Sequence, residues 1–431
     1  TAKNSVKNTT SRLSVLAESG VVDAGAEGFC NFLEGILDFI KTGRLREIMK
    51  TPLHEIPVTE HPELSIENIS PRYCAEALIQ VPGADLHRLR TRLEKIGDSV
   101  IVAGSSSKAH IHLHTDCPHE VFASLGADAS ILHQKVDDMK MQYMDVQNRN
   151  ATTAIVTDSA CDLPPELLDR YRIHVAPIHI SFIDRTYLDK LTITPGQYYN
   201  MLETEEIYPT TSQPNLKTFD NLYSFLLEHY DSVISIHLSG HLSGTSHSAR
   251  AAASNFPEGK ITAVDSRHLS GSLGLIALRA AMALEQGATH IEVVNHIHQW
   301  IRNTRIVVGM RSLESIIRGG RMNPAAGRAV NMVNLKPVIS VDEQGKSKLI
   351  GAGFGKGGVR RKVLKLVNKY LSGKGMWKYA VVHAHDPEEA SHYAENMKKT
   401  FGKDPAFVMD ISPVIALYAG RGAAGVALMT E

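Results

Sequence analysis

From Thr152 to the C-terminus, short apolar runs alternate with helical stretches, and this rhythm limits the fold more than any other feature. TAIVTDSACDLP, IHVAPIHISF, VISIHLS and ITAVDS read as strands. PELLDRY, the stretches 195–204 and 215–229, the segment opening in GHLSGTSHSARAAA, and LSGSLGLIALRAAMALEQG read as helices. Strand followed by helix, repeated, implies a parallel sheet with crossovers. Ligands in such sheets sit at the carboxyl ends of the strands. A stretch of roughly 280 residues has room for two lobes, expected at 152–300 and 301–431 with a cleft between them. The second lobe is expected from IVVGM, a helix with RGGR, a strand pair in KPVISVDEQGKSKLIGAG, and strands in YAVVHAHDP, PAFVMDIS and GVALMT.

Residues 72–146 follow another order. RYCAEALIQV is a strand, ADLHRLRTRLEKIG a helix, SVIVAG and AHIHLHT strands, PHEVFASLGA a short helix, and ILHQKVDDMKMQYMDV a last strand with a long tail. This is the β-α-β-β-α-β order of a ferredoxin-like α+β domain. In such sheets the first and third strands are neighbours, about 5 Å apart. Cys74 lies on the first; His112 and His114 share one face of the third by alternation. One thiolate and two imidazoles could then converge, a donor set that suits zinc and leaves a fourth position open. Glu76, His110 and Asp116 are candidate fourth ligands. A polar sheet face with a half-buried thiol is the alternative.

Residues 29–40, FCNFLEGILDFI, carry Phe29, Phe32, Leu33, Ile36, Leu37 and Ile40 at helical spacing. A polar helix over roughly 1–18 precedes them, and GVVDAGAEG (20–28) reads as a glycine-rich loop able to approach a phosphate or simply to turn. Residues 1–45 read as the tail of a larger domain. Prolines 52, 57, 62 and 71 mark a linker within 46–71, and QNRNAT (147–152) marks a domain boundary. The start, TAKNSVKNTTSRL, is polar and lacks an initiator methionine, as expected of a processed or cut chain.

Of the 431 residues, 43% are hydrophobic, enough for real cores, and 46 basic residues balance 46 acidic ones. Zero formal charge argues against electrostatic capture of nucleic acid. The four cysteines form no CxxC pair and no disulfide framework, which favours a reducing cytoplasm. No apolar run is long enough to span a membrane and no signal peptide opens the chain.

Three hydroxyl-rich turns stand near element ends: TDS (157–159), PTTSQP (209–214) and SGHLSGTSHS (239–248). Hydroxyls beside free helix N-terminal amides make an anion cradle for a carboxylate or phosphate. Ordinary helix capping explains any one of them. No nucleophile elbow is present, and GAGFGKGG (351–358) lacks the ending of a phosphate loop. It reads as a mobile turn with basic neighbours Lys356, Arg360 and Arg361. No dinucleotide fingerprint follows the first strand of the 152–431 region.

The motifs VTDSACDLP, YPTTSQP, HLSGHLSGTSHSA, VDSRHLSGSLGL, LESIIRGGRM and LKPVISVDEQGK resemble the DegV family of fatty-acid-binding proteins, the FakB type with the EDD fold, across residues 152–431. The resemblance implies two lobes with a long-chain acyl group buried between them. Its carboxylate would be held by Thr211, Ser212 and Ser239, with Ser243 and Thr245 as supports, and Arg321 of the GGR turn would lie near the mouth, suited to an acyl phosphate. The family's terminal threonine–histidine segment is replaced here by SPVIALYAGRGAAG, with Leu417 and Tyr418 at those places. A phenol can still donate a hydrogen bond, and Arg421 offers a substitute cation.

Residues 1–146 resemble a fatty acid kinase of the FakA type. GVVDAGAEGF is similar to the end of its dihydroxyacetone-kinase-like (DhaL) nucleotide domain. RYCAEALI, KIGDSVIVAG and HIHLHTDCP are similar to its middle domain, within 46–146. That resemblance implies metal binding at Cys74, His112 and His114. The reading that follows is a fusion of kinase middle domain and acyl carrier. A nucleotide domain in cis or trans would supply ATP and magnesium, and this chain alone would not turn over ATP. Expected partners are a long-chain fatty acid, a transient membrane surface and a second copy in a homodimer, with no nucleic acid. The rival readings are a lipid-binding or sensing protein without a kinase role, and a zinc-dependent hydrolase.

Overall fold

Period-two alternation decides the first sheet. In β1 (Tyr73–Gln80), Ala75, Ala77 and Ile79 are buried while the residues between them are more open. The structure, a computed structural model, describes residues 2–9, 22–42, 70–81, 83, 85–105, 107–126, 129–147, 149, 151–183, 185–204, 208–323 and 335–431. It forms two units, residues 1–69 and 70–431.

In the first unit, helix Ala2–Lys7 is followed by helix Ala24–Thr42. The second helix begins earlier than expected, because Asp23 accepts the amide of Ala26 at 2.6 Å and caps it. Ala24–Gly28 are therefore helical rather than part of a loop. Phe29, Phe32, Ile36, Leu37 and Ile40 are exposed on it. The linker prolines 52, 57 and 62 and most of the glycine-loop approach at 20–21 lie outside the described residues.

The second unit opens with β1, β2 (Asp98–Gly104), β3 (Lys108–Thr115) and β4 (Ser130–Asp138), in the order β2-β3-β1-β4, all antiparallel. Helices Leu86–Leu93 and Pro118–Gly126 cover one face through Leu89, Leu93, Val121, Phe122 and Leu125. The other face carries Cys74, Glu76, His112 and His114. This is the ferredoxin-like arrangement. Beyond β4 the expected tail is a helix, Met139–Gln147, started by Asp138, whose carboxylate accepts the Met141 amide at 3.0 Å.

Among the described residues, the remaining chain builds three sheets. β5 (Thr153–Asp158) and β6 (Ile173–Ala176) are parallel. Pro177 then breaks IHVAPIHISF, since it has no amide to donate to a ladder. The chain leaves to form a separate antiparallel ribbon of β7 (His179–Phe182), β8 (Arg185–Leu188) and β9 (Thr210–Ser212), ordered β8-β7-β9. It returns for β10 (Ser232–His237) and β11 (Ile261–Asp265), completing a parallel sheet β11-β10-β5-β6.

The third sheet contains β12 (Thr304–Gly309), β13 (Lys336–Val341), β14 (Ser347–Gly353), β15 (Met376–His383), β16 (Val408–Asp410) and β17 (Ala424–Thr430). Its order is β14-β13-β12-β17-β15-β16, antiparallel except between β15 and β16. The segment GAGFGKGG is not a turn throughout: Gly351–Gly353 end β14, and helix Gly355–Leu371 follows. Lys356 pairs with Asp386 at 3.0 Å and Arg360 with Glu389 at 2.6 Å.

Helix Ser270–Glu285 is buried on nearly every side because it packs between the parallel sheet and the third sheet. Gly271 makes this possible, since a Cβ there would fall 2.8 Å from Val382. One continuous apolar core thus joins residues of both lobes, from Ile155 to Met429.

Candidate functional site

The PTTSQP turn becomes the edge strand β9, in which Thr211 is paired opposite Ile180. Across from it, helix Pro413–Ala419 is held at its start by three groups. Asp162 accepts the Ser412 amide at 2.8 Å, Asp189 accepts that of Val414 at 3.3 Å, and Ser412 caps Ile415. So fixed, the helix brings the Tyr418 hydroxyl to 2.7 Å from Thr211 Oγ1. Tyr208 donates to the Leu417 carbonyl and steadies the same turn.

Arg321 lies over the Tyr418 ring, 4.8 Å from its centroid. Its Nε donates to the Leu242 carbonyl at 3.2 Å and its Nη1 to that of Gly319 at 2.6 Å. The GGR turn has a steric reason: a Cβ at Gly319 would sit 2.4 Å from the Tyr418 ring. Ser243, next to Leu242, shares a hydrogen bond of 2.9 Å with Thr245.

Thr211, Ser243, Arg321 and Tyr418 all line one cavity. Its other walls are mainly apolar, including Leu238, Leu269, Ile306, Val308, Ile339 and Val414, drawn from both lobes. A few polar groups converging in an otherwise greasy hollow is the pattern of a ligand site.

The other expected head-group residues stand elsewhere. Ser212 is exposed and outside the lining. Ser239 is fully buried and donates to the Gly345 carbonyl at 2.9 Å. Thr245 is buried behind Ser243. Arg421 pairs with Glu203, so its charge is engaged outside the cavity lining. In the TDS turn, Asp158 takes the amides of Leu238 at 2.9 Å and Ala160 at 3.1 Å and faces His237 Nδ1 at 3.0 Å. That turn braces the strand ends, so two of the three hydroxyl turns reach the cavity.

Ser270, Ser340, Ser347 and His383 also line it; Ser270 and Ser340 fall within VDSRHLSGSLGL and LKPVISVDEQGK without being singled out there, and His383 ends β15. Burial holds the His383 imidazole below its ordinary pKa, against the opposing pull of Asp410.

On the open face of the first sheet, Cys74 pairs directly with His114 and Glu76 with His112. Donor atoms of Cys74, His112 and His114 all fall within 4.8 Å of one another. Cys74 Sγ is 3.7 Å from His112 Nδ1; a tetrahedral zinc would set sulfur and nitrogen about 3.6 Å apart. Glu76 Oε1 is 3.3 Å from His112 Nδ1, which makes it the nearer of the candidate fourth groups. Asp116 instead accepts the Arg72 amide at 2.8 Å, and His110 is exposed. Burial raises the Cys74 thiol pKa, with Glu76 and Asp137 adding to it; burial and His112 lower that of His114. A second trio, Cys117, His119 and Glu120, comes from a single turn.

Residues 152–431 match the profile of the DegV family, COG1307. The chain belongs to the DegV family. Its DegV region is 30% identical over 278 residues to the protein DegV of Bacillus subtilis, covering 63% of this chain and 97% of that one. A DegV domain-containing protein of Staphylococcus aureus is 29% identical over 283 residues, covering 64% and 98%. Among solved structures, a fatty-acid-binding DegV family protein from Thermus thermophilus has 30% identity and a TM-score of 0.61, covering 65% of this chain and all of that one (100%). A stearic acid-binding protein from Eubacterium ventriosum has 25% identity and a TM-score of 0.60, covering 64% and 98%. Ahead of the DegV region, residues 70–146 match the FakA-like middle-domain family, named for a fatty acid kinase.

Proposed function

We propose that the chain binds a long-chain fatty acid between its DegV lobes and presents the carboxylate for ATP-dependent phosphorylation. The observation that carries this reading is the apolar cavity with Thr211, Tyr418, Ser243 and Arg321 gathered on its wall. Each buried methylene contributes about 0.8 kcal/mol, so the tail supplies most of the affinity. A carboxylate is costly to bury unless hydrogen-bonded. In the Thr211–Tyr418 pair one hydroxyl donates to the other, which in turn donates to the carboxylate, and the tethered Arg321 supplies positive charge that also suits the more highly charged acyl phosphate.

The kinase half of the proposal draws support from the match of residues 70–146. A carboxylate oxygen attacks the γ-phosphorus of ATP, and ADP leaves, giving acyl phosphate. This chemistry depends mostly on positioning and charge neutralisation. The chain contributes the fixed carboxylate; a nucleotide domain, linked or separate, contributes ATP and magnesium. Cys74, His112 and His114 fit zinc by donor type and spacing, with the ion tying β1 to β3 when bound. Among the described residues no helix is long and apolar enough to cross a membrane.

The test is direct binding of oleate to the full chain, with Thr211→Val and Tyr418→Phe beside it. Losing a hydrogen bond to a charged group costs about 1.5–3 kcal/mol, so each variant should bind at least about tenfold more weakly. Undiminished affinity in both would remove the head-group assignment; no binding by the native chain would remove the lipid reading.

A further inference from the structure

One amide side chain joins the middle domain to both halves of the head-group site. Gln134, on β4, donates through Nε2 to the Thr186 carbonyl of β8 at 2.7 Å. Its Oε1 accepts the Thr192 hydroxyl at 3.1 Å. The two ends of the amide lead along separate paths.

The first path crosses the ribbon. Thr186 lies opposite Ser181 of β7, with their hydroxyls 3.0 Å apart, and Ser181 lies opposite Thr210 of β9. Two strand spacings, about 10 Å in all, separate the grip on β8 from Thr211. The second path runs through the turn. Buried Thr192 accepts the Leu188 amide at 2.7 Å; the next residue, Asp189, holds the Val414 amide at the start of helix Pro413–Ala419. That helix ends in the turn bearing Tyr418. Both paths close at the 2.7 Å contact between Thr211 and Tyr418.

We propose that Gln134 is a positioning residue for the acyl head group: through it, the middle domain sets the ribbon and the 413–419 helix in the relation that lets Thr211 and Tyr418 meet. Two other contacts across the same seam go to the parallel-sheet side. Arg72 reaches Asp169 at 2.7 Å, and Asp145 meets the Tyr230 hydroxyl at 2.6 Å. They fasten the domains without touching the ribbon. By linkage, a head group that rigidifies the Thr211–Tyr418 pair must tighten the Gln134 grip in return.

The inference rests on the fatty-acid reading only for the meaning of the site, so its decisive test uses the full chain without lipid. Amide hydrogen exchange is measured for the native chain, Gln134→Ala, Gln134→Glu and Asp169→Asn. Gln134→Ala should speed exchange at least threefold in both 208–212 and 413–420. Gln134→Glu keeps the acceptor for Thr192 and loses the donor to Thr186, so it should loosen the ribbon and spare the helix. Asp169→Asn breaks a seam contact but should leave both segments unchanged. Unaltered exchange in Gln134→Ala, or equal loosening by Asp169→Asn, overturns the proposal. In a second arm with oleate, Gln134→Ala should bind several-fold more weakly. Absence of oleate binding by the native chain overturns the functional reading, while the lipid-free exchange still decides the role of Gln134.

Discussion

Asp189 accepts an amide of helix Pro413–Ala419 while fully buried. Burial pushes its pKa up to about 7, against the pull of Lys190. Its contribution to stability is complete below the ordinary carboxylate range and is lost as pH rises through about 7. Asn at this position keeps an acceptor for the Val414 amide without a charge. Asp189→Asn should therefore exceed the native melting temperature by a few degrees at pH 8.5 and by distinctly less near pH 5, where part of the contribution is still present; a gap that shrinks with rising pH would refute the assignment. Residues of this kind are hard to read from sequence. Thr211 and Tyr418 stand out in motif-bearing turns, but Ser239, in an equally suggestive turn, spends its hydroxyl on the Gly345 carbonyl, a partner over a hundred positions away. Nothing local in the sequence separates the two cases.

At the scale of elements, periodicity was informative wherever one face is buried. The first sheet follows directly from alternation, including the adjacency of Cys74 and His114. The split of IHVAPIHISF was not legible, because both halves alternate well and only the tertiary setting sends β7 to a different sheet. The short strands β8 and β9 are likewise defined by their partners rather than by their own composition. The register of β1 and β3 also fixes an expectation for metal. Native mass spectrometry of the full chain should find one zinc, lost in Cys74→Ser and retained in Cys117→Ser. Occupancy should fall on acidification, because the thiol and imidazoles must shed their protons to bind. Retention of zinc by Cys74→Ser would count against the β1–β3 site.

For the whole molecule, the shared core around helix Ser270–Glu285 means that the lobes are not independent bodies. A ligand between them stabilises the folded state as a single linkage, worth about 2.7 kcal/mol at a hundredfold excess over Kd. Added oleate should raise the melting temperature of residues 70–431 in one concerted transition, followed by calorimetry. Separate melting of the middle domain, indifferent to oleate, would contradict the coupling. Joining the FakA-like middle domain and the DegV region in one chain also raises the effective concentration of one for the other.

The crowding of Gly319 against the phenol ring couples two positions about a hundred residues apart in the chain. A Cβ at 319 would meet the ring at 2.4 Å, so any side chain there must displace it, whereas a smaller group at 418 leaves Gly319 undisturbed. The dependence runs one way: position 418 must shrink before position 319 can grow.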